Sequence, residues 1–330
     1  MKVAFFNTRR YDKEFFNSNN KKFDHEITFF ETQLNEKTVS LTKGYSAVCV
    51  FVNDRLNDQV IAKLAENGIK LIAMRCAGYN NVDLKAAAEH KITIVRVPAY
   101  SPNAVAEHVL AMVLTLYRFT HKAYNRVREG NFSLAGMTGH EIFGKTVGVV
   151  GTGKIGEVVA KIFKGFGCRV LAVDQVENEE LVNCGIEYVD QKQLFENSDI
   201  LSLHCPLNES THHMINEKTL STMKDGVTII NTSRGGLIDT QDAYVALKSG
   251  KIGFLGIDVY EEEEKLFFED LSTEIIMDDL FMRLTTFPNV LITGHQGFFT
   301  HRALNNIAET TLKNIKDFET SGVSENQVSV

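Results

Sequence analysis

The stretch Val147-Gly148-Val149-Val150-Gly151-Thr152-Gly153-Lys154-Ile155-Gly156 joins a short apolar run to three glycines in the spacing G-x-G-x-x-G. The run has strand length, and Ile155–Phe166 behind it has helical spacing. In a strand–turn–helix unit each glycine has a steric task. Gly151 permits the tight turn, Gly153 lets the backbone approach a pyrophosphate, and Gly156 lets the helix lie close to the strand. Lys154 and Ile155 open the helix, where unpaired N–H groups and the helix dipole favour an anion. The glycine pattern alone is common; its specificity comes from the strand before it and the helix after it. Arg169-Val-Leu-Ala-Val-Asp174 then reads as a second strand, ending in an acid 23 residues after Gly151. A carboxylate there accepts hydrogen bonds from adenosine ribose hydroxyls and repels a 2′-phosphate, so the expected cofactor is NAD rather than NADP.

Outward from this unit, short apolar runs alternate with helical patterns. After it come candidate strands Ile200–Leu203, Val227–Ile230, Phe254–Ile257 and Val290–Ile292, with a helix at Gln241–Lys248 among them. Before it lies an earlier series, Val3–Phe6, Ala47–Val52, Lys70–Arg75 and Ile92–Val95, with helical segments Asp58–Asn67 and Asp83–His90. Such alternation predicts an α/β fold with two doubly wound parallel sheets. Between the series a long helix is expected over Pro102–Arg128, with Ser101 placed to cap it and Pro102 at its first position. Val105, Val109, Met112 and Leu116 form its core stripe, and part of it is a candidate subunit contact. The last helix is expected near Arg302–Phe318, followed by a mobile or loosely docked tail, Glu319–Val330.

Composition narrows the function. The 330 residues are 44% apolar and 23% charged, enough for two domains with full cores. A net charge of −7 disfavours the phosphate backbone of nucleic acid as a partner. Cys49, Cys76, Cys168, Cys184 and Cys205 are never closer than 16 residues, so they form no zinc-ligand pair and read as free thiols of a reducing, cytoplasmic protein. No secretory segment or membrane span is expected.

Three charged residues follow strands of the second series. Arg234, in Ile230-Asn-Thr-Ser-Arg-Gly-Gly236, offers a planar fork that binds a carboxylate bidentately. Asp258-Val-Tyr-Glu-Glu-Glu-Glu264 supplies several acids, among which residue chemistry alone does not choose. His295, in Thr293-Gly-His-Gln-Gly-Phe298, is a candidate general acid/base, because imidazole changes charge near neutral pH. His212 and His213 are adjacent and are expected not to point together as a chelate would; they read as loop residues, and no metal is expected.

Taken in order, Met74-Arg-Cys-Ala-Gly78, Arg96-Val-Pro-Ala-Tyr-Ser-Pro102, Gly151–Gly156, His204-Cys-Pro206, Asn231-Thr-Ser-Arg-Gly235, Asp258-Val-Tyr260 and Gly294-His-Gln296 resemble the D-isomer-specific 2-hydroxyacid dehydrogenase family over nearly the whole chain. The resemblance implies a flavodoxin-like catalytic domain, residues 1–100 with 298–330, and a Rossmann NAD-binding domain, residues 101–297, inserted in it. It selects Glu263, five residues after Asp258 and 32 before His295, as the partner of His295. It implies that Tyr100, Gly151, Gly153, Lys154, Ile155, Gly156, Asp174, Cys205, Pro206, Thr211, Thr232, Ser233, Arg234 and Asp258 serve the cofactor. It also implies that Phe51, Ala77, Gly78, Arg234, His295 and Phe298 meet the substrate. Phe51 stands where some relatives have tyrosine, and Gly297 where alanine is usual, which bears on side-chain preference.

The implied activity is reversible hydride transfer between NADH and a 2-oxo acid, with pyruvate and D-lactate the expected pair and a homodimer or higher homo-oligomer the expected assembly. Arg234 would clamp the carboxylate, His295 would protonate the carbonyl oxygen, and Glu263 would favour the charged imidazole. The alternatives are a larger 2-oxo acid, such as that of 2-hydroxyisocaproate or phenyllactate, or an NAD-sensing binding protein without catalysis.

Overall fold

The computed structural model describes residues 1–263 and 266–328 and divides the chain into two compact units, Met1–Ser101 with Phe299–Val330, and Pro102–Phe298. In the first unit the order is β1 (Lys2–Phe5), α1 (Arg10–Asn20), β2 (Glu26–Phe29), β3 (Ala47–Val50), α2 (Asp58–Glu66), β4 (Leu71–Met74), α3 (Leu84–Glu89) and β5 (Thr93–Val95), with a closing helix at His301–Ser321. The sheet runs β2-β1-β3-β4-β5 and every pairing is parallel. The residues of β3 and β4, Ala-Val-Cys-Val and Leu-Ile-Ala-Met, are buried throughout, as continuous apolar runs must be when helices cover both faces. Asn57 and Asp83 accept the N–H groups of Val60 and Ala86 and so start α2 and α3.

The second unit carries α4 (Pro102–Arg118), α5 (Thr120–Arg128), β6 (Thr146–Val150), α6 (Lys154–Gly165), β7 (Arg169–Val173), α7 (Glu179–Asn183), β8 (Glu187–Tyr188), α8 (Gln191–Asn197), β9 (Ile200–Leu203), α9 (Glu217–Thr222), β10 (Val227–Asn231), α10 (Thr240–Ser249), β11 (Ile252–Ile257), α11 (Asp279–Thr285) and β12 (Val290–Ile292). Its parallel sheet runs β12-β11-β10-β9-β6-β7-β8, so the strand order reverses between β6 and β9. That reversal opens a crevice beyond the strand ends, the usual place for a ligand in such sheets. Alternate residues feed two cores. Val170, Ala172 and Ile230 pack on one face, and Leu171, Leu201 and Ile229 on the other.

The fold departs from the sequence expectations at the long helix, at the C-terminal tail and at two edge strands. The expected helix Pro102–Arg128 is two helices, because Phe119 takes a left-handed φ of 52° and its carbonyl accepts the N–H groups that open α5. The Phe119 ring lies 6.1 Å from that of Phe254, a contact that helical spacing does not reveal. The tail expected to be loose is docked through residue 328. Val328 N–H donates to Ile94 O at 2.9 Å, Arg96 N–H donates to Asn326 O at 3.1 Å, and Val328 is buried. The strands β2 and β8, missed in the sequence, are edge strands whose short, partly polar stretches lack a continuous apolar run.

Asp54 ties the first unit's loops together. Its carboxylate accepts Leu34 N–H at 2.6 Å and Phe51 N–H at 2.7 Å, and it is only 1% exposed. Burial pushes this group up to about 6, against the opposing pull of Arg75 and the two N–H bonds. Asp54→Ala would strand both donors, at about 1–3 kcal/mol each. Chemical denaturation should show a loss of about 2–5 kcal/mol; a loss below about 0.5 kcal/mol, the range of an ordinary surface change, would contradict this role.

Candidate active site

The glycine turn leaves β6 at the crevice. Gly151 has φ 90°, and a Cβ there would lie 2.7 Å from Cys205 N, so the position admits only glycine. A Cβ on Gly156 would fall 1.9 Å from Gly151 O, which explains why α6 can sit so close to the turn. The start of α6 at Gly153 carries no side-chain cap, and the space beside Gly153 is open. Free N–H groups with an open approach are what a pyrophosphate needs. At the end of β7, Asp174 accepts Thr152 N–H at 2.5 Å, Thr152 Oγ1–H at 3.0 Å and Gln175 N–H at 2.6 Å. Burial raises its pKa, but these bonds outweigh it and leave the carboxylate below its ordinary range.

The next strand ends border the same crevice. Ser233 Oγ donates to Cys205 O at 2.8 Å, joining the segments after β9 and β10, and Thr211 Oγ1 donates to Pro206 O at 2.7 Å within the first of them. Burial pushes the Cys205 thiol up to about 11, so it stays protonated. The Thr232 hydroxyl oxygen is buried and has no hydrogen-bond partner among the described residues. An orphaned buried hydroxyl, an uncapped helix start and an ionised strand-end acid, all following strands of one parallel sheet, suit a dinucleotide.

Arg234, Glu263 and His295 follow three neighbouring strands. Asn231 of β10 is in register with Ile257 of β11, and Ile257 with Ile292 of β12. Arg234 and His295 therefore each stand three residues beyond aligned positions, with one strand, β11, between theirs. Asn231 Nδ2 donates to Arg234 O at 2.8 Å, and Arg234 Nη1 donates to Ser233 O at 2.7 Å. His295 Nδ1 lies 3.0 Å from Glu263 Oε1, while Tyr260 N–H donates to Glu263 Oε2 at 3.0 Å and fixes that carboxylate. With Nδ1 turned to a carboxylate, Nε2 is the nitrogen positioned to exchange a proton. Phe268 and Phe298 border the imidazole, with ring centroids 5.7 Å and 6.5 Å away. Glu264, in the same acidic run, lies outside the described residues.

His295 has a left-handed φ of 52°, and Asp258 holds it there. His295 N–H donates to Asp258 O at 2.7 Å. The Asp258 carboxylate accepts Gln296 N–H at 2.9 Å, Gly297 N–H at 2.8 Å and Thr293 Oγ1–H at 2.5 Å, with His108 Nε2 3.4 Å away. Burial raises this acid, yet the donors from His108, Thr293, Gly297 and Gln296 bring it below its ordinary value. Asp258 is 1% exposed, so its carboxylate organises the loop. Gly297 answers to the same packing, since a Cβ there would lie 3.0 Å from Asp258 Oδ2.

The remaining expected residues lie in the first unit, each just beyond a strand. Phe51 follows β3, and the Arg75 guanidinium sits 4.8 Å from its ring. Ala77 and Gly78 follow β4, with Ala77 O accepting from Arg96 Nη1 at 2.8 Å. Tyr100 follows β5, and its carbonyl accepts Asn306 Nδ2 at 2.6 Å. Sequence reading missed His108, Phe268 and Arg75; only the helical spacing of α4 hinted at a buried role for the first. It was also wrong about His212 and His213. Their rings stack with centroids 3.9 Å apart, because His213 takes a left-handed φ of 49°.

His204 sits on the backbone at the glycine turn, its Nε2 2.8 Å from Ser202 Oγ, and burial pushes its imidazole down to about 3. The unfolded chain binds this proton near pH 6.5 and the native state does not, so stability is full above that pH and falls as pH drops toward 3. His204→Gln should therefore flatten the fall of the thermal midpoint between about pH 6.5 and 4. An identical pH slope in the two proteins would contradict a neutral buried imidazole.

Residues 110–297 match the family model for the NAD-binding domain of D-isomer-specific 2-hydroxyacid dehydrogenases. The chain is 54% identical over 319 residues to 2-hydroxyacid dehydrogenase homolog 1 of Schizosaccharomyces pombe, covering 96% of each. It superposes on the apo structure of D-lactate dehydrogenase from Escherichia coli with TM-score 0.91 and 48% identity, covering 100% of both chains. It also superposes on D-lactate dehydrogenase from Aquifex aeolicus complexed with NAD and lactic acid, with TM-score 0.86, 36% identity, and coverage of 96% and 95%. No helix among the described residues is long and apolar enough to cross a membrane. With a uniform parallel sheet, a glycine turn at its switch point and relatives that span its full length, the chain belongs to the D-isomer-specific 2-hydroxyacid dehydrogenase family, whose members are NAD-dependent oxidoreductases.

Proposed function

We propose that the chain reduces pyruvate to D-lactate with NADH, reversibly, and that Arg234, His295 and Glu263 carry the reaction. The observation that carries this reading is the 3.0 Å pair of His295 Nδ1 and Glu263 Oε1 at the end of the strands that bear Arg234. The Arg234 guanidinium binds the 2-oxo acid carboxylate and orients the ketone. His295 would deliver a proton from Nε2 to the carbonyl oxygen of the substrate as it is reduced, and Glu263 would balance the imidazolium charge. In oxidation the neutral imidazole takes the hydroxyl proton. The cofactor supplies the hydride; the chain supplies orientation, the proton and cationic stabilisation of the developing alkoxide. Phe51, Ala77, Gly78 and Phe298 are assigned to the substrate, and Tyr100, Asp174, Thr232 and the glycine turn to NAD. The D-lactate dehydrogenase names of full-length relatives support pyruvate over larger 2-oxo acids.

His295→Gln should lower turnover on the order of 10²–10⁴-fold while leaving NADH affinity within about threefold. Arg234→Lys should raise KM for pyruvate, because an ammonium cannot copy the bidentate fork. Steady-state rates over a panel of 2-oxo acids, with chiral analysis of the product, read both. Near-native turnover in His295→Gln would remove the acid/base assignment. No NADH oxidation with any 2-oxo acid would leave the NAD-sensing reading instead.

The same reading places the protein in the cytoplasm, which its free cysteines support, and makes it a homo-oligomer. Tyr124, Val127, Phe132, Leu134 and Phe143 are exposed on and after α5, an apolar surface suited to a second copy. Light scattering should give at least twice the chain mass, and Phe132→Ser with Leu134→Ser should reduce it. A monomeric parent protein would contradict the assembly.

A further inference from the structure

The two histidines that stack against expectation form part of a second cluster. His213 Nε2 is hydrogen-bonded to Glu261 Oε1, and His213 Nδ1 lies 3.3 Å from Asp239 Oδ2. Thr240 Oγ1–H donates to Glu261 Oε2 at 2.9 Å. The potential donor atoms of His212, His213 and Glu261 all lie within 4.8 Å of one another. We propose that His212, His213 and Glu261 form a binding site for Zn²⁺, separate from the proposed catalytic residues.

Three features support it. The first is the donor set: two imidazoles and one carboxylate suit zinc, whereas calcium and magnesium seek oxygen ligands. The second is the outer shell. Asp239 Oδ2 lies 3.3 Å from Nδ1 of His213, an acidic neighbour that favours a proton on that nitrogen and leaves Nε2 for a metal. The Thr240 hydroxyl likewise holds one oxygen of Glu261 and leaves the other facing His213. The third is charge: Asp239 and Glu261 both face His213, whose ring stacks on His212 at 3.9 Å, so a dication held by the two rings would meet two carboxylates.

The backbone is arranged to match. His213 N–H donates to Gly236 O and His212 N–H to Asn208 O, both at 2.8 Å, which holds the turn that brings the rings together. His212 Cδ2 lies 3.7 Å from where a Cβ would sit on Gly236, so the ring lies close over that glycine. Neighbouring ligands of tetrahedral zinc stand about 3.3 Å apart, by the geometry of bonds near 2.0 Å. The His212 ring is exposed, so a bound ion would draw it inward, and water would complete the shell.

The test is isothermal titration of ZnCl₂ into untagged, chelator-treated protein, with Co²⁺ absorption in the visible as a second readout. The expected result is one Zn²⁺ per chain, with affinity at least tenfold weaker in His212→Ala and in Glu261→Gln. Circular dichroism and the thermal midpoint establish that both variants are folded. Absence of saturable binding in the parent would overturn the site. So would parent-like affinity in either variant, or a loss in Cys184→Ser that His212→Ala does not share. Binding is read without turnover, so this result stands apart from the substrate assignment.

Discussion

The carboxylate of Asp258 is the constraint on which the rest of the second unit's site depends. Three parallel strands end side by side, and strand ends have unpaired N–H and C=O groups that would otherwise fray. Asp258 collects them. Its own N–H donates to Asn231 O at 2.9 Å, which ties β11 to β10. Its side chain takes the N–H groups of Gln296 and Gly297 and the hydroxyl of Thr293, which ties β11 to the loop after β12. A buried carboxylate with this many donors is stabilising only while all of them are present, so the loop has one arrangement. That arrangement sets the backbone at His295 in a left-handed conformation, which costs about 1–2 kcal/mol in a residue with a side chain. The strain is offset locally and points the imidazole at Glu263.

Parallel pairing explains why the groups proposed for the reaction are distant in sequence and close in space. Every strand in the sheet points the same way, so each contributes its following loop to one edge. Gly151 follows β6, Asp174 β7, Cys205 β9, Thr232 and Arg234 β10, Asp258 β11, and His295 β12. The reversal of strand order between β6 and β9 parts the helices there and exposes the glycine turn. The residues proposed for the cofactor and the proposed acid/base pair thus lie on successive stretches of one edge.

The α/β class, the parallel sheets and the glycine turn were legible because their signals are local. Val147–Val150 is apolar at strand length, and the steric demands at Gly151 and Gly156 leave no other residue type. What was not legible depended on contacts between distant positions. The break at Phe119 follows from its packing near Phe254, and the docked tail follows from the hydrogen bonds of Val328 to Ile94 and of Arg96 to Asn326. In the acidic run, residue chemistry left four glutamates open, and only the resemblance singled out Glu263. The structure gives a reason for that choice: the turn after Tyr260 brings Glu263 to His295, and the neighbouring Glu261 goes to His213. The stacked histidines escaped notice because adjacent side chains diverge in regular structure, and a left-handed residue cancels that rule.

The proposed reaction depends on one convergence, a guanidinium and an imidazole acting together on a 2-oxo acid. The most direct measurement is a crystal structure with NADH and oxamate, an unreactive isostere of pyruvate. The expected result is the oxamate carboxylate in bidentate contact with Arg234 and its amide carbonyl oxygen within hydrogen-bond distance of His295 Nε2. Oxamate bound with either residue out of reach, or with His295 parted from Glu263, would contradict it.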